Sequence, residues 1–353
     1  MRNSILAIPL AISLLATAPL TGQAPTRAPV ARADVARILS ALADDSMQGR
    51  LTGTPGADRA AAFVAAEMTR IGLTSLGDSG YFQRVALESV TLPPRAGADP
   101  GARPRTRLLL LNTLADLDTV PANARRHGQN VLGEIKGSDP VLKHEVVLVD
   151  AHYDHLGIGT PVNGDSIYNG ADDDASGVTA VLEIARAMMQ GPRPKRTVIF
   201  AAMTGEEVGL LGTRWYLAHP AAPIASMAAN LEIEMIGRPD SLAGGPGKAW
   251  LTGYERSTMG DELRSHGIPI VPDPRPDQHF FERSDNIAFA RAGVPAHTLS
   301  SFGLHRDYHQ PSDDMAHVDL DHMATVIGAA VAAVRLMADG PKPEWHAGGR
   351  PAE

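Results

Sequence analysis

Short apolar runs alternate with amphipathic stretches through the middle of the chain. "EVVLVDAHYD" (145–154), "RTVIFAAMT" (196–204) and "AANLEIEMIG" (228–237) have the length and composition of strands. Between the first two, "SGVTAVLEIARAMMQ" (176–190) places Val178, Val181, Leu182, Ala185 and Met189 on one face, which predicts a helix. A second helix is predicted over 206–220, others near 256–266 and over 320–338, and further strands over 107–112, 130–137, 248–253 and 294–301. Before these, 30–76 reads as two helices around a Gly-rich turn, and "LPPRAGADPGARPRT" (92–106) as a surface loop. Strand–helix alternation over about 200 residues predicts an α/β fold with one mixed, largely parallel β-sheet sandwiched by helices.

The first residues do not belong to that pattern. Arg2 precedes an apolar stretch from Ile5 to Leu20, and small residues up to Ala24 offer a cleavage site. This predicts a signal peptide over 1–24 and an exported protein, periplasmic or extracellular. No other segment is expected to cross a bilayer, so no membrane contact is expected after cleavage. The tail, 340–353, is expected to be flexible.

Net charge is −8, with no stripe of Lys or Arg, which argues against a nucleic-acid partner. The chain has no cysteine. Any metal site must therefore be built from His, Asp and Glu, a nitrogen–oxygen shell suited to zinc, manganese or cobalt.

In open α/β sheets, sites form beyond the carboxyl ends of the strands. His152 and Asp154 follow the first of the three strands, Glu206 and Glu207 the second, and Glu234 ends the third. "NGADDDASG" leads into the helix at 176, and "HRDYHQPSDD" carries His305 and His309. Each motif alone has a plain alternative. Carboxylates favour helix N-termini, so the aspartates and the glutamate pair could be capping or first-turn residues. Together they form the inventory of a two-metal hydrolase: a bridging carboxylate, a histidine and a carboxylate for each ion, and a free carboxylate as base.

Taken in order, "HYDHLG", "NGADDDASG", "TGEEVGLLG", "EMIGR" and "DYHQPSD" resemble the M28 family of zinc metallopeptidases from about Asp34 to Met337. The resemblance implies a zinc-exopeptidase (phosphorylase/hydrolase-like) architecture and a catalytic domain over 30–339. Only a short insert lies near 86–130, too small for a full protease-associated domain. It implies two zinc ions per chain, held by His152, Asp173, Glu207, Glu234 and His309, with Asp173 bridging. Glu206 would be the general base, Tyr308 a donor to the reacting carbonyl oxygen, and Asp154 the carboxylate that orients His152. The peptide after Asp173 is expected to be cis. His155 is expected to face away from the metals, as alternation along an extended segment requires. Glu234 stands where secreted aminopeptidases of the family usually have Asp.

The function implied is hydrolysis of peptides, with release of N-terminal amino acids. A carboxypeptidase, a dipeptidase or a glutaminyl-cyclase-like enzyme are the alternatives on the same scaffold, followed by an inactive binding module. The segment 273–297, with Phe280, Phe281, Arg283 and Asp285, is a candidate wall of the substrate pocket.

Overall fold

The computed structural model describes residues 30–94 and 105–352. The predicted leader and most of the 92–106 loop lie outside the described residues. Helices α1 (Arg32–Leu42) and α2 (Pro55–Ile71) come first, as the pattern predicts. The short β1 (Thr74–Ser75) is followed by β2 (Phe82–Leu92), β3 (Arg105–Leu110), β4 (Arg125–Ile135) and β5 (Val146–His152). A small hairpin, β6 (Gly157–Val162) and β7 (Asp165–Tyr168), leads to α3 (Gly177–Gln190). Then come β8 (Thr197–Met203), α4 (Leu211–Ala218), β9 (Met227–Ile233), β10 (Ala249–Leu251), α5 (Thr258–Ser265) and β11 (Ile270–Pro272). The last elements are α6 (Asn286–Arg291), β12 (Ala296–Ser300) and α7 (Leu320–Asp339).

One sheet runs in the order β11-β10-β12-β9-β5-β8-β4-β2-β3, with β1 beside β4. The four central strands, β12, β9, β5 and β8, are parallel, and antiparallel pairs flank them. Every residue of β5, β8 and β9 is buried, because helices cover both faces. Val147, Val149 and Ala151 enter the larger core with α1, α2, α3 and α7. Val146 and Leu148 point the other way, toward Tyr216 of α4 and Phe289 of α6. The carboxyl ends of the parallel strands therefore share one rim.

Several elements differ from the sequence expectation. Helix α4 begins at Leu211, not Glu206. Gly209 has φ +108° and Leu210 φ +56°, so residues 205–210 form a turn that holds the two glutamates outside the helix. Strand β2 and the β6–β7 hairpin were not predicted. The tail, expected to be flexible, packs on the domain. Trp345 pairs with Ser257, donates its indole N–H to Gly293 O at 3.1 Å and lies against Phe281 and His297. Helix α7 also corrects the expectation that no segment beyond the leader is apolar enough to cross a bilayer. Its length and composition suffice, with mean hydropathy 1.4. Its apolar face, including Val326, Ile327 and Val334, is buried in the core.

His297 of β12 is fully buried, with the Phe281 and Trp345 rings beside it. Its Nδ1 is 2.7 Å from Thr252 O and its Nε2 2.7 Å from Ser257 Oγ. The arrangement suits a neutral ring that donates at one nitrogen and accepts at the other. Burial and the neighbouring Arg256 charge lower its pKa to about 4, against the backbone bond to Thr252.

Candidate metal centre

Five segments at the rim bring the site together. His152 ends β5, Asp173 precedes α3, Glu206 and Glu207 follow β8, and Glu234 follows β9. The loop before α7 supplies Tyr308 and His309. The peptide between Asp173 and Asp174 is cis.

Asp173 lies at the centre. Its Oδ1 is 3.3 Å from His152 Nε2, and its Oδ2 is 3.2 Å from His309 Nε2. Glu234 Oε1 is 3.9 Å from His152 Nε2, on the first side, and Glu207 Oε2 is 3.3 Å from His309 Nε2, on the second. All five residues named from the sequence thus converge, in two groups that share one carboxylate.

Two expectations need correction. His155 does not face away. It is fully buried, with Nδ1 2.8 Å from Glu207 Oε1 and 3.9 Å from Asp173 Oδ2. Strand β5 ends at His152, so alternation no longer holds three residues later. The Asp154 carboxylate is not the nearest partner of His152 either. The backbone carbonyl of Asp154 lies 3.1 Å from His152 Nδ1, whereas its carboxylate stands 3.8 Å away. That carboxylate accepts instead from the Glu206 amide at 3.1 Å and the Thr52 hydroxyl at 3.0 Å. Asp154 therefore fixes the backbone of Glu206. The carbonyl bond selects the His152 tautomer that leaves Nε2 free to ligate.

The flanking aspartates form the scaffold. Asp172 accepts from Gly237 N at 2.6 Å and pairs with His305 Nε2 at 2.8 Å. Asp174 accepts from Gly177 N and Met235 N. Two further residues were missed from sequence. Buried Asp313 accepts the backbone amides of both Asp172 and Asp173 at 3.0 Å. Buried Arg50 donates to the carbonyls of Leu42, Tyr153, Asn169 and Gly170 at 2.5–2.8 Å, tying the His155 segment to the Asp173 segment. A lone arginine in "MQGRL" gives no such signal. Asp313 could have been suspected only from its place four residues beyond His309.

The electrostatics call for a cation. Burial opposes charging of His152 and His309, yet the carboxylates outweigh it, raising His152 well above its ordinary value and His309 to about 10. Burial, with repulsion from Glu234, Asp285 and Glu207, holds Glu206 well above the ordinary carboxylate range. His152 Nε2, both nitrogens of His155 and Glu207 Oε1 are buried and have no hydrogen-bond partner among the described residues. Such orphaned atoms are costly unless a metal or another partner takes them up. The residues present fit a metal pair.

Beside Glu234 a small cavity of about 30 Å³ is walled by Trp250, Phe280, Phe302, Arg283 and Tyr308. Phe280 and Arg283 thus line the cavity, as the sequence suggests for 273–297. Phe281 instead packs under Trp345, and Asp285 is buried, its pKa raised to about 8 by burial and the nearby Glu232. The Tyr308 ring stacks on His309 with centroids 3.9 Å apart. A cavity of about 730 Å³ lies at the opposite ends of the strands, by Val146 and Thr197, and is lined by none of these donors.

Carboxylate and imidazole donors gathered at one rim of a mixed sheet are what a metal-dependent hydrolase needs. The profile of Peptidase family M28 matches residues 130–334, more than half of the chain, and the chain belongs to that family. It is 28% identical over 228 residues to a probable leucine aminopeptidase 2 of Aspergillus oryzae, covering 58% of this chain and 43% of that protein. It is 29% identical over 180 residues to leupeptin-inactivating enzyme 1 of Streptomyces exfoliatus, covering 49% and 36%. The chain thus spans less than half the length of these relatives. Among solved structures, a zinc aminopeptidase from Bacillus subtilis superposes with TM-score 0.62 at 16% identity, over 92% of this chain and 98% of that one. The glutaminyl cyclase of Porphyromonas gingivalis superposes with TM-score 0.57 at 14% identity, over 87% and 99%. These likenesses are of fold.

Proposed function

We propose that this protein is an exported two-zinc aminopeptidase that releases N-terminal residues from peptides. The observation that carries the reading is Asp173, whose two carboxylate oxygens each face a different histidine. One ion would be held by His152, Asp173 and Glu234, the other by Asp173, Glu207 and His309. Zinc bound there acidifies a water and polarises a carbonyl oxygen.

The protein's own groups supply the rest. Glu206 takes a proton from the attacking water and delivers it to the leaving amine. Its high pKa in the absence of cations reflects the same burial that makes it responsive to a nearby positive charge. Asp154 holds its backbone in place. The Tyr308 hydroxyl donates to the carbonyl oxygen as charge develops there. Glu206 and Glu234 receive the free ammonium of the substrate, and the aromatic walls beside Glu234 receive its side chain.

The test is hydrolysis of aminoacyl-nitroanilides, N-acetylated peptides and dipeptides, with a metal count on the same sample. Cleavage of free-amine substrates, inertness toward the acetylated ones and two zinc ions per chain are expected. Removal of C-terminal residues from acetylated peptides would refute the reading, as would one zinc with cyclisation of glutaminyl peptides. Export predicts a mature chain that starts after Ala24, and an intact Met1 on exported protein refutes that part.

A further inference from the structure

We infer that His155 is a fourth protein ligand at the metal position between Asp173 and Glu207. That position is then closed by the protein, whereas the one at His152 and Glu234 keeps an open valence. The inference rests on the two-zinc reading above.

The geometry singles out one point in the site. Glu207 presents Oε1 to His155 Nδ1 at 2.8 Å and Oε2 to His309 Nε2 at 3.3 Å. Asp173 Oδ2 lies 3.2 Å from His309 Nε2 and 3.9 Å from His155 Nδ1. Ligand atoms of His155, Asp173 and Glu207 all fall within 4.8 Å of one another. The two imidazoles meet at 69° with centroids 5.7 Å apart, so they approach from different directions and do not stack.

A purely orienting role for His155 fits less well. A histidine that steers Glu207 would do so through an aligned hydrogen bond. Here the close contact lacks that alignment, and His155 Nδ1 and Glu207 Oε1 both remain without a hydrogen-bond partner among the described residues. The ring is also held in place. Gly170 has φ +56°, and a Cβ built there would stand 2.6 Å from His155 Cγ and Cδ2. Only a residue without a side chain lets the backbone lie against this ring.

The consequence is an asymmetry between the two positions. Two imidazoles and two carboxylates make the four-ligand set of a closed zinc site, which holds its metal firmly. One imidazole and two carboxylates leave a place for water or substrate. The ion at His155 and His309 therefore loads first, and the ion at His152 and Glu234 exchanges more readily.

Stepwise titration of metal-free wild type and His155→Ala with cobalt and with zinc tests this. In the wild type, the first equivalent of cobalt should give the intense visible band of four-coordinate cobalt. In His155→Ala that band should be lost, and the tighter zinc affinity should fall by more than about a hundredfold, beyond the 10–100-fold cost of losing an outer partner. An unchanged first-equivalent band overturns the inference, and if the variant still binds two zinc ions the function proposed above survives. Wild type that binds no metal overturns both. If His155→Ala does not fold, a zinc-loaded crystal structure of the wild type decides. His155 Nδ1 at about 2.0–2.1 Å from an ion supports the inference, and a nitrogen beyond about 3 Å overturns it.

Discussion

The buried ring of His297 should make the protein lose stability in mild acid in a way that one substitution removes. The imidazole is neutral when folded, with its pKa lowered from 6.5 to about 4 by burial and by the Arg256 charge. In the unfolded chain it protonates below about 6.5. Between these values the unfolded state binds the extra proton, so stability is complete above pH 6.5 and is lost as pH falls toward 4. At about 1.4 kcal/mol per pH unit, the gap amounts to about 3 kcal/mol in full. Between pH 7.5 and pH 5 the loss works out at about 2 kcal/mol. His297→Gln cannot protonate and keeps one amide end for the Ser257 hydroxyl. It should be less stable by about 1 kcal/mol at pH 7.5, for the lost bond to Thr252. Its stability should then fall about 2 kcal/mol less than that of wild type on going to pH 5. Urea unfolding of both proteins in the same zinc-buffered solutions measures this, because the carboxylate and metal contributions cancel in the difference. Parallel curves of stability against pH would refute the reasoning.

Glu206→Gln should keep its zinc and lose about 10²–10⁴ in kcat, and a variant close to wild type would reduce Glu206 to a turn residue. Arg50→Met should cost about 4 kcal/mol or more in urea unfolding, since four buried carbonyls lose their donor, and a loss under about 1 kcal/mol would contradict the role given to Arg50. Zinc at a hundredfold excess over its Kd should stabilise the metal-free protein by about 2.7 kcal/mol, read as a rise in Tm, and an unchanged Tm would mean that the native rim binds no ion.

The central strands were legible because burial on both faces makes them continuous apolar runs, as in "EVVLVD". Of the residues that converge at the rim, His152, Glu206, Glu207 and Glu234 were legible because they stand at or just after the ends of those strands, and Asp173 and His309 because their motifs fall in an informative order. What escaped depends on backbone turns and on contacts far apart in sequence. "EEVGLLG" reads as a helix start, but Gly209 and Leu210 take positive φ and delay the helix. His155 was misplaced because period-two alternation was carried past the end of β5. The tail has the composition of a loose end, yet the Trp345 indole and hydrogen bonds between Glu344, His346, Gly349 and Arg350 and the domain hold it in place. Strand β2, "FQRVALESVTL", lies beyond β4 with only β3 outside it, and its mixed pattern favours neither a strand nor a helix.

The cross-ties among the rim loops bear on how a substrate is received. Gly237 is bonded to Asp172, Arg238 to Asp307 and Asp313, His305 to Asp172, and Asp313 to the amides before and at Asp173. Residues 170–174, 234–238 and 305–313 are thereby one body, able to move together but not past one another. The conformational entropy of setting the donors at their spacing is then lost on folding, before any substrate arrives. Under the proposed function, a peptide substrate would meet donors already set at their spacing. On that reading, discrimination among substrates would fall chiefly to the shape of the small cavity beside Glu234.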